Sequence, residues 1–282
     1  MDPLSLLWLF FILASLQPGL QRQALLLQRR RALSEISRKQ GVSVITLIHR
    51  QETMSLLGFP LVRFIDIDDA ESVLRAIREC PADRPIEIIL HTPGGMVIAA
   101  QQIASALAAH QAHVTAVVPH YAMSGGTLIA LACDEIILEP HAALGPVDPQ
   151  LGENPAASLV EVAAMPGDHD DKTLLMADVG RKAIAQVEGF TARLLERRIA
   201  PEHAREVARL MATGTWTHDH PLQPPELQLL GLPARVGVGD AERELMTLYP
   251  PPRGRTPAVE YVPGPTVPSI PPGRRNRNVS KG

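Results

Sequence analysis

Ser124 stands in a setting that suits a nucleophile. It lies in His120-Tyr-Ala-Met-Ser124-Gly-Gly-Thr-Leu-Ile-Ala-Leu-Ala-Cys133, between the β-rich run His113–Pro119 and a helix-like pattern. Gly125 and Gly126 let the backbone bend sharply there. A helix start presents free N–H groups and a positive dipole end, which favour a reaction that builds negative charge on oxygen. The plainer reading is that Ser124 only caps the helix, a role serine often fills. A second glycine pair, Gly94-Gly95, ends another strand-like run through His91-Thr-Pro. If the two strands are neighbours in one sheet, the Gly95 and Gly125 amides converge beside Ser124 as an oxyanion hole.

A serine nucleophile needs a base. The chain holds four lysines against 23 arginines, and only Lys172 and Lys182 fall outside the terminal regions. A guanidinium stays protonated, whereas a desolvated lysine can be neutral near pH 7. Lys172 follows His169-Asp-Asp, whose charges favour its ammonium form, so Lys182, in a largely apolar helical stretch, is the favoured base. The competing reading is an i,i+4 surface pair between Lys182 and Asp178. His218 and His220 flank Asp219 in a loop, where they either shape the loop, bind substrate or serve as an alternative base. Asp148, between two prolines, reads as a rigid turn or as a residue that orients a catalytic partner. His91 is expected to anchor its own turn.

These residues need a scaffold. Val42–Ile48, Leu61–Ile67, Pro85–Leu90, His113–Pro119 and Glu135–Glu139 read as strands. Between them lie helical patterns at Ala70–Cys80, capped by Asp68 and Asp69, at Met96–His110 and after Ser124. Strands alternating with helices imply a layered α/β domain. Residues 154–171 read as a loop because of Pro155, Pro166, Gly167 and an acidic cluster. Helices are then expected at Thr173–Arg198, Pro201–Ala212, Glu226–Leu230 and Asp240–Leu248. Aromatics make up 4% of the chain, so the core should be aliphatic.

At the N-terminus, Leu4–Leu16 is apolar but for two serines, and Arg22, Arg29, Arg30 and Arg31 follow. The run is short of the roughly 20 residues a span needs. It lacks the basic n-region and small-residue cleavage site of a signal peptide. Residues 3–20 are therefore expected to be an uncleaved membrane-anchor helix, with a helical stem to residue 40 and the domain on the cytoplasmic side. An interfacial helix on the membrane is the alternative. The globular domain is expected over 41–249, and the proline-rich basic tail 250–282 is expected to be disordered. A net charge of −3 gives no pull toward nucleic acid. Two cysteines and no CxxC or HExxH spacing leave no disulfide framework or metal site to expect, and no cofactor.

Five motifs in order carry a family resemblance: His91-Thr-Pro-Gly-Gly95, Ser124–Ala132, Leu144-Gly-Pro-Val-Asp-Pro-Gln150, Ala177–Ala183 and Trp216-Thr-His-Asp219. Over residues 42–240 the chain resembles the serine dehydrogenase proteinase family of Clp/crotonase-fold serine peptidases, related to signal peptide peptidase A. The resemblance implies a Clp/crotonase-like spiral of ββα units, with Ser124 as nucleophile, Gly95 and Gly125 as oxyanion donors, and Lys182 as the base of a Ser–Lys dyad. It also implies a polypeptide substrate, membrane proteins included, and a homo-oligomer. Clp proteases proper carry a histidine after the next strand, where this chain has Pro146-Val-Asp-Pro149. Two other functions fit the same fold: a crotonase-like acyl-CoA enzyme, and a non-catalytic membrane scaffold.

Overall fold

The computed structural model describes residues 3–49, 55–56, 59–60 and 63–249. Five strands, β1 (Ser43–Ile48), β2 (Ile86–His91), β3 (Val114–Val118), β4 (Glu135–Leu138) and β5 (Ala234–Val236), form one parallel sheet in sequence order. The register pairs Ile45 with Ile88, Ile88 with Ala116 and Ala116 with Ile136, so side chains of one parity share a face. Ile45, Ile88, Ala116 and Ile136 pack with helices α2 (Ile67–Glu79), α3 (Val97–Ala108) and α4 (Gly125–Leu131) in a largely aliphatic cluster. Ile89 and Val117, of the other parity, meet Ile36 of α1 (Pro3–Gln40) and Leu245 of α9 (Asp240–Thr247). Covering both faces is what lets β2 be buried at all six positions.

A second, shorter layer repeats with the first. Thr92 bridges to Ala122, Tyr121–Ala122 pairs in parallel with Ala143–Leu144, and Leu144 bridges to Leu222. Each long strand β2, β3 and β4 thus leads into a short extended segment before the next helix. The parallel sheet with helices on its faces matches the expected α/β class. After β4 come α5 (Ala156–Ala164), α6 (Asp171–Leu195), α7 (Pro201–Ala212) and α8 (Pro224–Leu229).

Several sequence expectations change. The region around Ala156 is a helix rather than a loop: Pro155 occupies its N-cap and Pro166 and Gly167 fall beyond its end, so neither breaks it. α5 lies so close to α6 that a Cβ at Gly180 would stand 3.1 Å from Ala156 O. The strand expected at Leu61–Ile67 falls partly outside the described residues; from Arg63 onward only a bridge from Ile65 to Gly95 forms. Asp66, not Asp68 or Asp69, caps α2, and Asp69 completes the capping box by accepting Asp66 N–H. The three-residue β5 was too short to show a period. The tail 250–282 lies outside the described residues.

The N-terminal anchor also needs correction. One helix runs from Pro3 to Gln40, and among the described residues no helix is long and apolar enough to cross a membrane. The apolar run stops at Leu16, and the polar Gln17 and basic Arg22 follow too soon. Nor is residue 40 a boundary: Ile36 is fully buried, Arg29 Nε donates to Leu248 O at 2.8 Å, and Gln40 Nε2 donates to Glu242 Oε1 at 2.5 Å. The C-terminal part of α1 is therefore part of the domain.

Glu87 is the one charged residue of β2, and it is buried beside Glu242. Burial, reinforced by the Glu242 charge, pushes its carboxyl up to about 7 from 4.5. The folded chain thus keeps a proton that the unfolded chain releases. The associated stability is present below pH 4.5 and lost as pH rises through 7. Glu87→Gln should remove this loss, gaining on the order of 3 kcal/mol over wild type at pH 8 relative to pH 4. Urea unfolding at both pH values tests it; equal pH dependence in the two proteins would refute it.

Candidate active site

The carboxyl ends of β2, β3 and β4 open on one side of the sheet, and each delivers a segment to a common cavity of about 310 Å³. Gly95 comes from the turn after β2, Ser124 and Gly125 from the turn after β3, and Val147, Asp148 and Gln150 from beyond β4. His218, in the loop between α7 and α8, lines the same cavity, with Phe64, Val97, Leu128 and Val187 as apolar walls.

Ser124 has φ 50° and ψ −114°, the only positive φ among the described non-glycine residues. A residue with a Cβ is held there only against a cost of about 1–3 kcal/mol. Its hydroxyl makes no cap hydrogen bond to α4, so the capping alternative does not hold. The glycine corners meet at this point. A Cβ on Gly94 would sit 2.7 Å from Ser124 Cβ and 3.1 Å from Gly125 N, and one on Gly125 would lie 3.5 Å from Gly95 N. Gly95, at φ 155°, is pressed against Ile65, where a Cβ would fall 2.3 Å from both backbone N and O. Ile65 N–H donates to Gly94 O at 2.7 Å and Met96 N–H to Ile65 O at 2.8 Å, which pins the corner. Gly95→Ala should destabilise the fold by about 3 kcal/mol or more, since backbone must move. A urea midpoint within error of wild type would refute this.

Asp148 is 3% exposed and fully engaged. Its Oδ1 lies 2.8 Å from His218 Nδ1, and its Oδ2 accepts Gln150 Nε2 at 2.7 Å. The loop that carries His218 is held by the Thr217 carbonyl, which accepts His220 N–H, and by His220 stacked on Trp216. An acceptor-only carboxylate on Nδ1 sets the ring so that Nε2 is left as the proton acceptor.

Lys182 is not brought to this cavity. Its side chain is 69% exposed and its Nζ lies 2.5 Å from Asp178. The buried face of α6 runs through Ala177, Gly180, Val187, Thr191 and Leu194, and Lys182 is out of phase with it. The i,i+4 pair with Asp178 is what forms. Asp219 is exposed and does not line the cavity. His91 is buried at the end of β2, its ring centroid 4.4 Å from that of Tyr121 and 5.3 Å from that of His120. Phe64 and Val187 line the cavity without any motif in the sequence to mark them; only proximity across the fold does so. Among the described residues no group of side chains could hold a metal ion.

A serine held in a strained strand-to-helix turn at the open edge of a parallel sheet is the backbone arrangement of α/β serine hydrolases. The chain belongs to the family of ClpP-like SDH-type serine proteinases, whose model matches residues 1–272. It is similar to two uncharacterized proteins of Methanocaldococcus jannaschii. With MJ1495 it shares 46% identity over 92% of this chain and 89% of that one. With MJ0137 it shares 47% over 94% and 96%. A solved structure of a 1510-N membrane-bound stomatin-specific protease variant overlaps it with a TM-score of 0.44 at 20% identity, over 65% of this chain and 79% of that one.

Proposed function

We propose that this chain is an endopeptidase with Ser124 as nucleophile, His218 as general base and Asp148 as the residue that orients His218. The observation that carries the reading is the 2.8 Å contact of Asp148 with His218 in the cavity that Ser124 lines. His218 replaces Lys182 as the base. Ser124 Oγ attacks the peptide carbonyl carbon as its proton passes to His218 Nε2. The Gly95 and Gly125 N–H groups hold the oxyanion. The imidazolium then protonates the leaving amine, and water, deprotonated by the same nitrogen, releases the acyl chain. The order along the chain, Ser–Asp–His, is that of α/β-hydrolases rather than of the Clp proteases. Phe64, Val97, Leu128 and Val187 favour an apolar substrate side chain beside the scissile bond. Labelling with a fluorophosphonate tests the reading. A folded protein that neither labels nor cleaves a broad peptide library would instead support the non-catalytic scaffold.

The N-terminal apolar run Leu4–Leu16, with the arginines after it, supports docking on the cytoplasmic lipid surface rather than crossing it. Loss of membrane co-fractionation on deleting residues 1–21 is expected; unchanged partitioning would remove the proposal. Exposed Leu174, Leu175 and Val179 on α6, with Val162 and Met165 at α5, support a homo-oligomer. A monomeric mass in sedimentation would exclude it.

A further inference from the structure

Behind the Gly94–Gly95 corner runs a polar chain that the proposed reaction does not use. Gly94 N–H donates to Thr92 Oγ1 at 3.2 Å, and Thr92 Oγ1 lies 3.0 Å from His49 Nδ1. His49 Nε2 is 3.1 Å from Asp69 Oδ2, which also accepts Asp66 N–H at 3.2 Å. His49 and Thr92 are buried. The chain joins the end of β1, the end of β2 and the first turn of α2.

The donor and acceptor inventory gives it one direction. The Asp69 carboxylate only accepts, so His49 Nε2 carries the proton. In the neutral ring Nδ1 is then an acceptor, and the Thr92 hydroxyl donates to it. That leaves the Thr92 oxygen lone pairs facing Gly94 N–H. The donors and acceptors thus run in one sense from the Gly94 amide to Asp69. On its other side the corner is held by backbone hydrogen bonds with Ile65. Thr92 is therefore the side-chain hold on a turn of two glycines that the Ile65 backbone pins from the other side.

We infer that His49, with Thr92 and Asp69, is a positioning residue that fixes the Gly94–Gly95 corner so that the Gly95 amide stays aimed at the Ser124 cavity. The inference rests on the reading of Gly95 as an oxyanion donor. Protonation of His49 makes Nδ1 a donor, takes away the acceptor of the Thr92 hydroxyl and reverses the chain. The groups around the ring oppose one another. Burial and the Arg63 guanidinium disfavour its charged form, while Asp69 and Asp66 at the start of α2 favour it; burial is the largest effect, and the pKa is lowered. The neutral, correctly ordered ring thus persists below the ordinary histidine range.

The test uses the full chain and two readouts. Amide hydrogen exchange of residues 92–96 in Thr92→Val should quicken by about tenfold. Exchange in β3 should stay at the wild-type rate, showing an intact fold. On a fluorogenic peptide, kcat should fall roughly 10- to 100-fold with KM little changed, as a misplaced donor implies. Thr92→Ser, which keeps the hydroxyl, should restore most of both. Asp69→Asn, which frees the ring tautomer, should lower kcat and quicken exchange in the same segment, and it decides the matter if Thr92→Val does not fold. Unchanged exchange at 92–96 overturns the inference whatever the activity does. Quickened exchange with unchanged kcat overturns its link to the reaction. Hydrolysis that survives Ser124→Ala removes the serine reading instead, and leaves the exchange result to judge the polar chain by itself.

Discussion

Ser124→Ala is expected to lower peptide hydrolysis by roughly 10⁴-fold or more, since loss of a nucleophile leaves only binding and oxyanion stabilisation. Fluorophosphonate labelling should disappear with it. The substitution keeps a Cβ at φ 50°, so the backbone cost remains and the fold should be as stable as wild type. Ser124→Gly should be equally inactive yet more stable by about 1 kcal/mol, because glycine adopts this conformation without strain. A position that is both the reactive group and a strained backbone should show that opposition of activity and stability. Labelling that survives in Ser124→Ala would place the nucleophile elsewhere. A Ser124→Gly protein no more stable than Ser124→Ala would mean that the turn is relaxed.

The second large effect concerns the base. His218→Ala should reduce kcat by about 10⁴-fold, comparable to loss of the serine, and the double variant should be little worse than either single one, because the groups act as a unit. Asp148→Asn should cost about 10²- to 10⁴-fold with the fold retained, since the amide can donate to Nδ1 and favour the wrong tautomer. Lys182→Ala should stay within about twofold of wild type, as its exposed pair with Asp178 contributes little. The contrast is what matters. A large loss in Lys182→Ala beside a mild one in His218→Ala would restore the Ser–Lys dyad and clear His218 of the role of base.

The acyl-CoA alternative fits the site poorly. It requires the paired amides but no serine, so it gives no reason for Ser124 to occupy a costly conformation without capping α4. Membership in a serine proteinase family points the same way. The silent scaffold keeps a concrete test in the labelling experiment.

What the sequence carried by itself was local. Gly94, Gly95, Gly125 and Gly126 mark backbone that side chains cannot occupy, and the structure puts Ser124, Ile65, Ala100 and Thr92 in the space beside them. Alternating strand and helix patterns were enough for a layered α/β domain, and Pro201 marked the start of α7. The base could not be read in this way. His218 and Asp148 are 70 positions apart, with three helices between them, and no period links them. Lys182 looked apolar in its neighbours along the chain, but the phase of α6 against its buried face turns it to solvent. His49 and Asp69 likewise meet only because β1 ends beside the start of α2. Short-range sequence encodes the conformation of a turn; which side chains share a pocket depends on how distant elements pack, and that is set by the whole buried surface at once.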